Sequence, residues 1–419
     1  MTTSNTGADR APTSAFVWVW LPNAVDPVVA GRIDAVGDIH FFTYGRSYLE
    51  RQDAIPLYLP ELPLQPGRQH PDAALNIAGC LADAGPDSWG QRAILARHLG
   101  HLSLTSDTGD LDRLNYFLES GSDRIGALDF QKSATEYTPR VAGHQADLSE
   151  LMTAADRLQA GLELSPHLAD ALVHGTSIGG ARPKALLDDG QRKLIAKFSS
   201  TTDPYPVVKA EGVAMELARR LGLHVPRTEV TDVLGRDVLL VERFDRTGTG
   251  GRRLMVSALT MLGLSEMTGR YATYPDLADI IRARFTNPPA TLRELFARIV
   301  FNVAVGNIDD HARNHAAFWD GTALSLTPAY DLCPQPRSGN EVNQAMSVGR
   351  HGERESRLSV CRTAASEYLL SPADATTIID HTIDVINNQW AEAADSAHLT
   401  ALERQQLWHR QILNESIFY

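Results

Sequence analysis

At 419 residues the chain exceeds one ordinary domain, so two or three packed subdomains with a sizeable core are expected. Apolar residues (43%) and charged residues (21%) stand close to the values of ordinary folded proteins, which excludes a mostly disordered or fibrous chain. A formal charge of -12 leaves no global field that would attract nucleic acid, so action at DNA would call for a partner to supply the contact. Cys80, Cys333 and Cys361 are an odd, widely spaced set without a CxxC pair; they fit neither a disulfide framework nor a zinc site, and point to a reducing cytoplasm. The N-terminal stretch is polar and no run of about 18 apolar residues occurs, so neither an export signal nor a membrane span is expected.

In chain order, residues 1–14 read as a disordered tail. Ala15 to Leu21 is a strand candidate, and Val28 to Tyr44 reads as further strands broken by Gly31 and Gly37. Helical periodicity follows around Ala73 to Ala82, Asp87 to His98 and Asp110 to Leu118, before a strand at Gly126 to Phe130. Polar Ser133 to Asp147 reads as a linker, with a boundary near 145, followed by helices at Leu148 to Leu158 and Leu164 to His174. From Pro183 to Glu242 short strands alternate with one strong helix, Val208 to Leu221, whereas most of 257–305 and 372–412 is helical by pattern. The expected organisation is a β-rich subdomain over 15–145, a mixed lobe over 146–250 and a helical lobe over 251–419.

Gly175 to Lys184 combines three glycines with hydroxyls and two cations just before a strand. Consecutive backbone N–H groups in such a loop form an anion-binding concavity, although neither the Walker A nor the Rossmann spacing is present and a flexible turn suits the same residues. Asp189-Gly190 predicts a two-residue hairpin that pairs Asp188 with Gln191, Lys184 with Ile195 and Arg182 with Lys197. Lys197 would then sit at the mouth of the glycine loop, where a lysine can neutralise nucleotide phosphates; a solvated strand lysine is the alternative.

Thr291 to Glu294 has the form of a capping box and predicts the start of a buried helix that ends at Gly306. Asn307 to Asn314 is a strongly polar loop hung on that rod. Asp309 and Asn314 share the Asp-x-x-x-x-Asn spacing of the protein-kinase catalytic loop, in which a carboxylate accepts the substrate proton and an amide helps hold Mg²⁺. A solvated helix-ending turn, with Asp310 and His311 bonding locally, suits the loop taken alone. A hairpin at Asp320-Gly321, pairing Trp319 with Thr322 and setting Asn314 opposite Thr327, would bring Asp331 back toward Asp309 and Asn314 as a second metal ligand.

Taken in order, Ser177 to Leu187, the Lys197 strand, Val241 to Arg246, Asn307 to Asn314 and Ala329 to Leu332 resemble the HipA family of toxin kinases. Upstream, Gly45 to Leu49, Pro86 to Gly90 and Gly126 to Leu128 resemble that family's N-terminal subdomain. The resemblance implies an α+β, protein-kinase-like two-lobe fold with an all-helical C-terminal lobe, and a serine/threonine kinase that uses ATP and Mg²⁺. It implies Asp309 as general base, Asn314 and Asp331 as metal ligands, and a phosphate loop of Gly179, Gly180, Ala181, Arg182, Pro183 and Lys184. Lys197, the hinge residues Glu242, Arg243 and Phe244, and His311, Ala312, Arg313, Asn314, Tyr330 and Asp331 would complete the nucleotide site. Ser177 matches the serine whose autophosphorylation expels the phosphate loop. A HipB-like helix-turn-helix antitoxin is the implied partner, with operator DNA bound mainly through it, and an aminoacyl-tRNA synthetase such as glutamate-tRNA ligase the implied protein substrate. Two competing readings are a small-molecule phosphotransferase and a catalytically weak partner in a repressor complex.

Overall fold

The computed structural model describes residues 12–99, 106–141, 147–175, 182–200, 203–248, 250–337 and 342–419. The phosphate-loop residues Gly179, Gly180 and Ala181 and the serine Ser177 lie outside them.

Strands β1 (Ser14–Val19), β2 (Val28–Val36), β3 (Ile39–Tyr44), β4 (Arg68–Gln69) and β5 (Leu128–Gln131) form an antiparallel sheet in the order β4-β3-β2-β1-β5. Gly31 does not break β2, contrary to expectation. The strand runs through it because a side chain there would meet the carbonyl oxygen of Thr43 on β3 at 2.2 Å, so only glycine lets the two strands close up. Gly37, at φ 57, makes the turn instead. The helix expected over Ala73 to Ala82 shrinks to one turn, Gly79–Ala82. Its upstream residues extend along the sheet, with the His40 N–H donating to the Asn76 carbonyl, while the Glu61 carboxylate accepts the Gly79 and Cys80 N–H groups.

A second antiparallel sheet has the order β6-β7-β9-β8, from β6 (Lys184–Asp188), β7 (Lys193–Phe198), β8 (Thr228–Val233) and β9 (Arg236–Glu242). The Val207–Leu221 helix packs on it and stops at Gly222, at φ 86. The remaining lobe is mainly helical but holds a third, three-stranded sheet of β10 (Met255–Ser257), β11 (Ala316–Trp319) and β12 (Leu324–Leu326), so it is not purely α. At its centre runs the Pro288–Val305 helix, whose Leu292, Leu295, Phe296, Ile299, Val300 and Val303 are buried as the periodicity requires. It begins before the expected capping box: Asn287 caps it through the Ala290 N–H and two prolines fill its first turn, while Glu294 pairs with Arg298. Among the described residues no helix is long and apolar enough to cross a membrane.

Both Asp-Gly hairpins differ from their predicted register by two residues. Asp188 pairs with Lys193, so Lys184 rather than Arg182 faces Lys197; Trp319 pairs with Leu324, so Ala316 rather than Asn314 meets Thr327. The cause is the same in each. Asp189 Oδ1 accepts the N–H groups of Gln191 and Arg192, and Asp320 Oδ1 those of Thr322 and Ala323, which stabilises a four-residue loop. A slip of two keeps every side chain on its predicted face.

The first sheet is joined to the segment after β9 by buried charges. Arg243 donates to Asp245 and Asp123, and Arg246 pairs with the same two carboxylates. Asp245 also accepts the Gly126 N–H. Burial alone would raise the Asp245 carboxyl, but Arg243 and Arg246 outweigh it and hold the group at about 2. Its unfolded value is about 3.9, so this stabilisation is fully present above pH ~4 and lost as pH falls through about 2, a contribution of roughly 2.5 kcal/mol. Asp245→Asn should therefore cost ~3 kcal/mol in urea unfolding at pH 7, and its deficit against wild type should narrow between pH 4 and 2. A deficit that stays constant with pH would contradict this account.

Candidate active site

Lys197 projects from the middle of the second sheet, with its side chain 15% exposed. Its ammonium lies 2.5 Å from Glu211 on the Val207–Leu221 helix and 2.6 Å from Asp331 Oδ1 in the C-terminal lobe. One cation thus ties sheet, helix and second lobe together. Burial would depress the Lys197 ammonium, yet Asp331 and Glu211 more than reverse that and hold it well above its ordinary value. In turn Lys197 pulls the Asp331 carboxyl down to about 2, against the opposing effect of burial. The pair stays ionised at neutral pH.

Asp331 follows a strand end and takes φ 61, a left-handed conformation that aspartate tolerates better than most residues at a cost of about 1–2 kcal/mol. Its carbonyl accepts from the Cys333 N–H, and Asn307 Nδ2 lies 3.5 Å from the same oxygen. Upstream, Gly306 ends the buried helix at φ 74, where a side chain would meet the Gln411 carbonyl at 2.6 Å, and its own carbonyl accepts the Gln335 N–H. The helix end and the Asp331 turn are therefore one connected piece.

The polar loop is organised by a residue that the sequence suggested only as a local turn former. Asp310 is buried and accepts hydrogen bonds from the Tyr274 hydroxyl and Asn302 Nδ2 (2.8 Å), and it pairs with His315 Nε2 at 2.7 Å. Asp309, next to it, is exposed. Partial desolvation, then the charges of Asp331 and Asp310, push the Asp309 carboxyl above the usual carboxylate range, with His311 opposing. Asn314 Nδ2 lies 3.4 Å from the Asp309 carbonyl. Asp309, Asn314 and Asp331 thus share one neighbourhood, although Asn307 and the Gly306 turn bring Asp331 there rather than the predicted strand register.

The other predicted residues divide by what their side chains already do. Tyr330 donates to the Arg313 carbonyl, and its ring lies 5.8 Å from that of Phe244, so both line the edge between the lobes. Arg182, with its side chain 38% exposed, pairs with Asp203, whereas the buried Arg243 is committed to Asp123 and Asp245, which leaves its guanidinium closed to a nucleotide. The main-chain N–H groups of Glu242 and Arg243 donate to Arg227 and Lys193. Pro183 and Ala312 are buried beside the site, and Arg313 contacts Glu266. Glu211, Asp310 and Asp87 were not picked out from the sequence. Neither of the first two has a distinctive local signal: Glu211 shares its helix with Glu216, and Asp310 looks like any polar loop residue.

The site suits a phosphorylated ligand and a hard cation. Buried polar atoms without a hydrogen-bond partner include His311 Nδ1, Arg313 Nε and Asp87 Oδ2, and the nearby oxygen donors are carboxylates and an amide, the chemistry that Mg²⁺ prefers. Among the described residues no cluster of three or more His, Cys, Asp or Glu is poised to hold a metal alone, so a cation here would draw on Asn314 and on the ligand's own oxygens.

A lysine paired with a helix glutamate, an Asp-x-x-x-x-Asn loop and a downstream aspartate on a two-lobe α+β frame define a kinase. The match to the HipA-like C-terminal domain spans residues 176–390 and that to the HipA N-terminal domain residues 23–131, so the chain belongs to the HipA family. Y4mE of Sinorhizobium fredii is 29% identical over 329 residues, 71% of this chain and 73% of its own. The serine/threonine-protein kinase toxin HipA of Shewanella oneidensis is 29% identical over 183 residues, 37% of this chain and 42% of its own. The solved complex of S. oneidensis HipA with HipB and operator DNA contains a chain that superposes with a TM-score of 0.67 at 20% identity, covering 93% of this chain and 97% of that one.

Because Asp310 holds the loop that carries Asp309, Asp310→Asn should lower phosphoryl transfer from labelled ATP by about 100-fold, the scale of a misplaced catalytic group. Calorimetric ATP affinity should change little. Transfer within twofold of wild type would remove Asp310 from this role.

Proposed function

We propose that this protein is the serine/threonine kinase toxin of a HipBA-type system, and that it transfers the γ-phosphoryl group of ATP to a hydroxyl of a protein substrate. The observation that carries the reading is Lys197 bridging Glu211 and Asp331 beside the Asp309–Asn314 loop. Asp309 accepts the proton of the attacking hydroxyl, a task suited to a carboxylate that is exposed and raised above its ordinary range. Lys197 and Lys184 present positive charge to the phosphates, and Phe244 and Tyr330 flank the base. Asn314 and Asp331 would hold Mg²⁺, which when bound would supply positive charge to offset that of the phosphates. His311 and Arg313 contribute the unpartnered ring and guanidinium nitrogens noted above.

Ser177, by its place in the family pattern, is the autophosphorylation site; a phosphate there adds roughly -1.5 to -2 charge to a loop suited to cradling phosphate and switches the kinase off. A HipB-like antitoxin is the assigned partner, supported by the likeness to HipA in its complex with HipB and operator DNA. The charge of -12 agrees with leaving the DNA contact to that partner. An aminoacyl-tRNA synthetase is the proposed substrate. We assign the protein to the cytoplasm, in keeping with three free, buried cysteines.

The test compares phosphoproteomes of cells expressing wild type or Asp309→Gln without an antitoxin. Wild type should arrest growth, modify Ser177 and label a synthetase, and the variant should do none of these. Equal toxicity of the variant, or no phosphosite gained with wild type, would rule the reading out.

A further inference from the structure

One segment of the N-terminal subdomain, residues 79–87, contacts both lobes, Ser257 in one and Lys184 in the other. It is pinned along its length. Asp83 accepts from the N–H (2.7 Å) and hydroxyl (2.8 Å) of Ser257 in the C-terminal lobe. A side chain on Gly79 would meet Thr260 Oγ1 at 2.6 Å, one on Gly85 would meet the Phe117 ring at 2.6 Å, and Arg124 donates to the Ala84 carbonyl. At the end of this segment Asp87 caps the Ser88–Leu99 helix, its Oδ1 accepting the Gly90 N–H at 2.9 Å. Its other oxygen, Oδ2, is buried without a hydrogen-bond partner and lies 3.9 Å from the ammonium of Lys184.

Lys184 occupies an unusual position. It stands directly across β6 and β7 from Lys197, and its side chain is 5% exposed. Two ammonium groups thus share one face of a hairpin, one of them almost wholly removed from water. Burial and the neighbouring Lys197 depress Lys184, while Asp87 first, and then Asp331 and Glu211, oppose them. Burial raises the Asp87 carboxyl to about 6, with Lys184 pulling it back down, so Asp87 is charged at neutral pH.

We propose that Asp87 is a positioning residue of the nucleotide site: the N-terminal subdomain uses it to hold Lys184, charged and in place, for the phosphates of ATP. The inference rests on the proposed role of Lys184 as a phosphate contact. It makes the N-terminal subdomain a third wall of the kinase cleft. Without Asp87 the buried ammonium loses the nearest carboxylate while still facing the Lys197 ammonium, so its charge and its position are held less firmly, and the hold on phosphate weakens.

The experiment is calorimetric titration of the full-length protein with Mg·ATP and, separately, with adenosine, which has no phosphate. The variants are Asp87→Asn, Lys184→Met and the two combined, with Asp87→Ser as a second neutral cap and thermal unfolding as the control for folding. Asparagine and serine cap helices about as well as aspartate, so both remove the charge while keeping the cap. Asp87→Asn and Asp87→Ser should weaken Mg·ATP about tenfold and leave adenosine unchanged, and neither should weaken Mg·ATP further once Lys184 is methionine. Unchanged or tighter Mg·ATP binding in the Asp87 variants, an equal loss for adenosine, or a loss that persists in the Lys184→Met background would overturn the proposal. If Lys184→Met alone leaves Mg·ATP binding intact, the phosphate role of Lys184 fails, and the role of Asp87 falls with it.

Discussion

The Lys197 ammonium ties a strand and a helix of one lobe to a turn of the other. Lys197 reaches Glu211 and Asp331 at hydrogen-bonding distance, and those carboxylates come from a helix on its own sheet and from a turn in the other lobe. An ammonium so nearly buried is costly without partners, and a carboxylate pressed against it is equally costly without the ammonium. The arrangement therefore persists only if sheet, helix and turn keep their places together. Much of the remaining architecture answers to that condition. Gly222 ends the Glu211 helix at φ 86, Gly306 ends the buried rod at φ 74, and Asn307 ties the rod's end to the Asp331 turn.

A second buried charge system works at the other border. Arg243 and Arg246, immediately after β9, engage Asp123 and Asp245, while Asp83 engages Ser257. The N-terminal subdomain is thus bonded both to the segment linking the lobes and to the C-terminal lobe. Pairs of this kind contribute little net stability over a well-packed apolar contact, but losing one member strands a charge in the interior. Their value here is geometric: they fix where the lobes sit, and with them the distance across the cleft.

The fold was legible wherever periodicity and turn chemistry act alone. The Val207–Leu221 helix, the buried face of the Pro288–Val305 helix and its glycine stop all match the sequence pattern. What was not legible depended on contacts made by other parts of the chain. Gly31 resembles a strand breaker in isolation, but the approach of Thr43 makes it a strand residue. Asp189 and Asp320 resemble two-residue turn formers, until their carboxylates are seen taking two backbone N–H groups each. Lys197 could be picked out by its place after a glycine-rich loop. Glu211 could not be told from other helix acids without knowing which face meets the sheet, and Asp310 became visible only once Tyr274, Asn302 and His315 were brought to it.

The central claim is that Asp331, held by Lys197, forms part of a metal-dependent phosphoryl-transfer site. Its most direct test is the rate of transfer from γ-labelled ATP across a range of Mg²⁺ concentrations, for wild type and Asp331→Asn. Wild type should saturate with Mg²⁺, and Asp331→Asn, folded to the same thermal midpoint within a few degrees, should show no transfer at any concentration. Transfer by Asp331→Asn at the wild-type rate and with the same Mg²⁺ dependence would contradict the account.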